Sequence, residues 1–222
     1  MNLFASIGIC LVPLFLLSLV FLLCIKKLSS LHLLFSILLG LLAIIPVTVI
    51  QIFLMKLPIF TAENLLSLFV ITFVFNGLIE ESLKMTSGFF LPFKKMTFGS
   101  FVACGIIIGC AFGTFENIVY LVSGAKNISV RFFTSLVLHC CCAGLSAIYI
   151  WTFKKKNPKI FCFILAVLLH GLYNFFAGSE KFWWLSIITI IYAFVKLKFS
   201  FDKVYQESLE IQEDSSNSSD NA

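Results

Sequence analysis

Apolar residues run along this chain in seven long blocks separated by short polar stretches. The blocks are Leu3–Ile25, Leu31–Met55, Leu65–Phe89, Phe98–Val122, Val130–Phe153, Ile160–Ala177 and Phe182–Phe199. Each is about 18 residues or longer, enough for a helix rising ~1.5 Å per residue to cross a hydrocarbon core ~30 Å thick. The pattern predicts an all-α, polytopic integral membrane helical bundle of about seven transmembrane helices. The first block is too long and too evenly apolar for a cleaved leader, and no basic residue precedes it, so it reads as a retained span.

Beyond the last block the pattern changes. The stretch from Asp202 holds six of the eleven acids and ends in "EDSSNSSDNA", too polar to bury a core. Residues 1–200 therefore read as the membrane bundle, with its chemistry confined to 64–178. Residues 201–222 read as a disordered acidic cytoplasmic tail.

Composition agrees: 60% of residues are hydrophobic, 12% are charged, and the mean hydropathy is +1.04, where a soluble domain carries roughly 25% charged residues. The formal charge of +5 calls for no nucleic-acid partner, because its placement explains it. Lys26 and Lys27 follow the first block, Lys94 and Lys95 the third, "KKKNPK" the fifth, and Lys196, Lys198 and Lys203 end or follow the seventh. The intervening loops hold only Lys56, Lys126, Arg131 and Lys181. This alternation places the amino terminus outside and the carboxyl terminus in the cytoplasm of a multi-pass cell-membrane protein. All eight cysteines fall inside spans without C-x-x-C spacing and read as small buried hydrophobes.

Against this background a few polar residues stand out. Glu63 and Glu180 lie in loops, but Glu80, Glu81 and Glu116 lie within spans, where each charge costs at least about 2.5–3.5 kcal/mol unless compensated. Asn76, Glu80 and Lys84 are spaced i, i+4, i+8 and form one stripe, with Glu80 four before Lys84 in the favourable order for an ion pair. Glu81 is turned by about 100° and addresses another neighbour. The stripe suits an ion pair holding two helices together. It also suits a general acid or base, since one lysine neutralises only one of two adjacent carboxylates.

The fourth block carries Gly105, Gly109 and Gly113 at every fourth position, a face for close helix packing, with Glu116 and Asn117 about one turn beyond. The fifth and sixth place His139 and His170 near mid-depth, with Asn174 four residues after His170. A membrane histidine serves equally as an interhelical hydrogen-bond donor, the reading given to His32. The joint occurrence of Glu80, Glu81, Lys84, Glu116, His139, His170 and Asn174 on four consecutive spans goes beyond helix adhesion.

These residues resemble the PrsW family of intramembrane proteases, relatives of the CAAX prenyl endopeptidases. "EESLK" is similar to the family's E-E-x-x-K, "FGTFEN" to its second motif, with Glu116 where the CAAX branch has histidine, His139 to its third, and "HGLYN" to its H-x-x-x-N. The resemblance covers the third to sixth spans. It implies an intramembrane endopeptidase acting on membrane-embedded or membrane-anchored protein substrates in the bilayer, as the family does on a membrane-bound anti-sigma factor.

On that footing Glu80 takes a proton from the attacking water and returns it to the amine. His139, His170 and Asn174 position the water or the oxyanion, Lys84 holds the carboxylates, and Glu81 or Glu116 orients a histidine. No cofactor is favoured. Zinc is the alternative, on His139, His170 and Glu116, against which stand the absence of H-E-x-x-H and the nearby lysine. Two other classes compete. A small proton-coupled transporter also uses membrane carboxylates and histidines, although no proline interrupts a motif-bearing span. A non-catalytic scaffold is the other, against which the paired glutamates and H-x-x-x-N argue.

Overall fold

The computed structural model describes residues 3–54, 56–57, 64–123 and 128–219, with side chains through 210 except at 128–132. Glu63, Lys126 and the Arg131 side chain lie outside the described residues, as does Met55. Among the described residues, seven helices are long and apolar enough to cross a membrane: α1 (Leu3–Cys24), α2 (Ser30–Leu54), α3 (Leu65–Gly88), α4 (Phe98–Val122), α5 (Ile128–Lys154), α6 (Ile160–Ala177) and α7 (Trp184–Ser219). The first six begin and end within two residues of the apolar blocks. The protein is an all-helical, multi-pass membrane bundle.

Burial is inverted relative to a soluble domain. Leu, Ile and Phe side chains of α1, α2 and α7 face outward, where lipid solvates them at no cost, while Glu80, Glu81, Lys84, His139 and His170 are buried inside. α4 is the central helix, most of it buried, with α5, α2 and α1 packed around it. Its start is fixed by a capping box: Ser100 N donates to Thr97 Oγ1 at 3.2 Å and Thr97 N to Ser100 Oγ at 2.9 Å.

Two close approaches set the helix positions. A Cβ on Gly109 would lie 2.2 Å from the His139 carbonyl oxygen, and one on Gly113 would lie 2.7 Å from the His139 ring. The glycine face of α4 thus brings α5 near enough to place His139 against it. On the other side, a Cβ on Gly77 of α3 would lie 2.8 Å from the Val167 carbonyl oxygen of α6.

Two features depart from the sequence expectation. α3 is not uniformly α-helical: Ile71–Ile79 forms a π-helix that ends where Glu80 begins, a wide-turn form that recurs at functional sites. And α7 does not stop at Phe199 but continues through Ser219. Val204 is buried, Tyr205 stacks on Phe201 with centroids 5.9 Å apart, and Lys198 pairs with Asp202 one turn on, contacts that hold the helix past the apolar block.

Candidate active site

The buried polar residues meet at one point. Glu81 Oε1 accepts from Lys84 Nζ at 2.5 Å and from His170 Nδ1 at 2.5 Å. His139 bridges the other direction, with Nδ1 2.9 Å from Lys84 Nζ and Nε2 2.8 Å from Glu116 Oε2. The two imidazoles stand edge to face, centroids 4.9 Å apart. Glu81 is 0% exposed, His139 1%, and Glu80, Lys84 and His170 2% each, so bulk water does not reach them.

Several expected pairings are redrawn. Lys84 pairs with Glu81, three residues before it, rather than with Glu80. The π-turns that end at Ile79 break the four-residue stripe beginning at Asn76. Glu80 is held instead by Gln51 of α2, whose Nε2 donates to Glu80 Oε1 at 3.0 Å. Sequence reasoning missed Gln51, although it is a lone amide near the end of an otherwise apolar block. Asn174 turns its amide onto the His170 carbonyl at 3.3 Å, bracing the turn that carries the histidine. Asn117 Oδ1 accepts from Ser135 Oγ at 3.5 Å, joining α4 to α5.

The hydrogen bonds define the histidine tautomers. Lys84 donates to His139 Nδ1, so that ring carries its proton on Nε2 and gives it to Glu116. His170 donates from Nδ1 to Glu81, which leaves Nε2 directed at Glu80 Oε2, 3.7 Å away. Among the described residues, Glu80 Oε2 and Glu81 Oε2 have no hydrogen-bond partner. Lys84, 4.8 Å from the centroid of the Phe112 ring, is the cation that the described residues place among the carboxylates.

That environment fits a divalent cation. One ligand atom each from Glu80, His139 and His170 lie within 4.8 Å of one another, a Glu/His/His set of the kind that leaves a catalytic zinc one open position. Each histidine is backed by a carboxylate on its other nitrogen, the arrangement that orients metal-binding imidazoles. The grouped set has Glu80 as its third member, whereas Glu116, named from the sequence, hydrogen-bonds to the far nitrogen of His139. Lys84 opposes the fit at one atom, since its ammonium occupies the His139 Nδ1 lone pair.

Comparison with known proteins bears on the same residues. A family model described as "PrsW family intramembrane metalloprotease" matches residues 29–199, well over half of the chain. The chain is 27% identical over 188 residues to "Protease PrsW" of Clostridioides difficile (strain 630), covering 78% of each chain. No solved structure matches. The match takes in α3 to α6 whole, and with them every residue of the buried cluster. The chain therefore belongs to the PrsW family and is an intramembrane protease.

Proposed function

We propose that the buried cluster hydrolyses a peptide bond of a membrane-embedded or membrane-anchored protein, with Glu80, His139 and His170 as the reacting centre. The observation that supports this most is the grouping of two carboxylate-backed histidines with the Glu80 carboxylate, one ligand atom of each within 4.8 Å of the others. Glu80, His139 and His170 would hold the family's metal, which when bound supplies a Lewis acid that acidifies water and polarises the scissile carbonyl.

The chain's own groups do the rest. Glu81 Oε2, buried and without a partner, accepts the proton of the attacking water and passes it to the departing amine. Lys84, anchored on Glu81, would release His139 Nδ1 in this reading and offer the freed N–H to the developing oxyanion. Glu116 and Glu81 keep the imidazoles in the tautomers just described, and Gln51 fixes the rotation of the Glu80 carboxylate. The low exposure of the cluster strengthens each of these interactions.

A second reading has one observation in its favour: Lys84 already satisfies His139 Nδ1. In that reading no metal is needed, and Glu80 itself takes the proton through Oε2, with water held between it and His170. Both readings share the substrate class, of which a membrane-bound anti-sigma factor is one candidate. Both place the amino terminus outside and the carboxyl terminus in the cytoplasm, on the lysines after α1, α3, α5 and along α7.

The test is hydrolysis by the purified protein in vesicles containing single-span peptides, run in oxygen-18 water. Wild type should label the new carboxyl terminus of each product and Glu80→Gln should not. Unlabelled or absent products in both would remove the proposal. Loss of cleavage on chelation selects the first reading, and persistence selects the second.

A further inference from the structure

A second site lies away from the cluster, at the membrane face where the lysines gather. A groove of about 1090 Å³ opens between the carboxyl-terminal end of α1, the start of α4, the end of α5 and the middle of α7. α1 packs on α4 while α7 packs on α5 and α6, so the groove separates α1 from α7. Its floor is apolar, built from side chains such as Phe21, Val102, Ile106, Phe194 and Leu197, all within spanning helices.

Its rim is basic. Lys26, Lys27, Lys155 and Lys198 line it. Lys198 is paired with Asp202, and Glu207, the acid in the lining, is paired with Lys159 at 3.0 Å. Among the described residues no ion pair engages Lys26, Lys27 or Lys155, all three exposed. Lys155 lies against apolar rings, 5.8 Å from the centroids of both Phe93 and Trp151. Lys27 sits at φ 65° in the turn after α1, which keeps this pair of ammonium groups at the groove mouth.

We infer that this groove binds one anionic phospholipid, its phosphate between Lys26, Lys27 and Lys155 and its acyl chains against the apolar floor. The occupant must be amphipathic in the sense that the groove is: apolar where the lining lies within the membrane, anionic where it leaves. A phospholipid with a net negative headgroup has both properties and is present at that interface. A zwitterionic lipid satisfies the floor but not the rim, and a free phosphate satisfies the rim but not the floor. The inference does not depend on the proteolytic reading.

The experiment is native mass spectrometry of the full chain, delipidated in detergent and titrated with phosphatidylglycerol or phosphatidylcholine of the same acyl chains. Wild type should retain one phosphatidylglycerol per chain with a preference of at least ~10-fold over phosphatidylcholine. The triple variant Lys26→Gln/Lys27→Gln/Lys155→Gln should bind both alike, and Lys94→Gln/Lys95→Gln, basic but outside the groove, should keep the preference. Thermal unfolding of each variant checks that the fold is intact. Equal retention in wild type, an unchanged preference in the triple variant, or its loss in the control variant overturns the inference. So does competition by glycerol phosphate at equal concentration, which would mean a headgroup site alone, or a lipid-free dimer, which would mean that a second copy fills the groove.

Discussion

His139 Nε2 lies 2.8 Å from Glu116 Oε2, and this bond joins two parts of the membrane that residue counting holds apart. Counted along their spans, Glu80 falls in the second half of α3 and Glu116 in the second half of α4, and consecutive spans cross the membrane in opposite directions. The imidazole of His139 closes that interval by touching Lys84 with one nitrogen and Glu116 with the other. In the proposed mechanism Glu116 acts on the site through His139.

Glu116→Ala should lower the rate of peptide cleavage by about 10–100-fold, the usual effect of removing a carboxylate behind a catalytic imidazole. Glu116→Gln, which still accepts a hydrogen bond, should lose less. Single-turnover cleavage in vesicles, normalised to folded protein, measures both.

Gly113→Ala should be damaging although alanine favours helices. The new methyl would lie 2.7 Å from His139 Cδ2, so the ring must shift, at about 1–3 kcal/mol and with loss of most activity. Gly8→Ala, which meets nothing within 4 Å, should leave melting temperature and cleavage unchanged.

Lys84→Met leaves Glu81 buried beside His170 without its cation, which should cost about 3–5 kcal/mol and reduce the amount of folded protein. Adding Glu81→Gln removes the stranded charge. The double variant should recover its yield and thermal stability while remaining inactive, and a thermal-shift comparison of the three proteins checks it.

Gln51→Leu should remove the hydrogen bond that Glu80 Oε1 accepts from Gln51, costing about 1–3 kcal/mol for the stranded acceptor. Cleavage should fall while His170 and Glu81 remain paired. Gln51→Asn, shorter by one methylene, should not restore the rate.

Metal analysis of the purified protein should find close to one divalent ion per chain, and His170→Ala should lower that content. Chelation should stop cleavage and added zinc restore it.

Much of this was legible in the sequence because lipid is an undemanding solvent. A span needs only length and apolarity, so α1 to α6 fall where the blocks fall, and a charge inside a span is costly enough to announce itself. What the sequence does not display is local helix type. Ile71–Ile79 is apolar apart from Thr72 and Asn76, so nothing in its composition separates π from α winding; and because i+3 and i+4 neighbours both lie within reach on the α-helical turn that follows, spacing alone does not choose between Glu81 and Glu80 as the partner of Lys84. Gln51 escaped notice because an uncharged amide is a weak signal beside three carboxylates. The continuation of α7 was missed because it depends on Tyr205 and Val204 packing against distant residues such as Phe98, not on the polarity of its own stretch.

The most direct test compares new protein termini in membranes from cells expressing wild type and Glu80→Gln at equal levels. Glutamine preserves the size of the side chain and the Gln51 contact region while removing the carboxylate that faces both histidines. The account predicts that a defined set of membrane-protein fragments is present with wild type and absent with the variant. Identical termini in the two membranes, with both proteins folded and abundant, would contradict it.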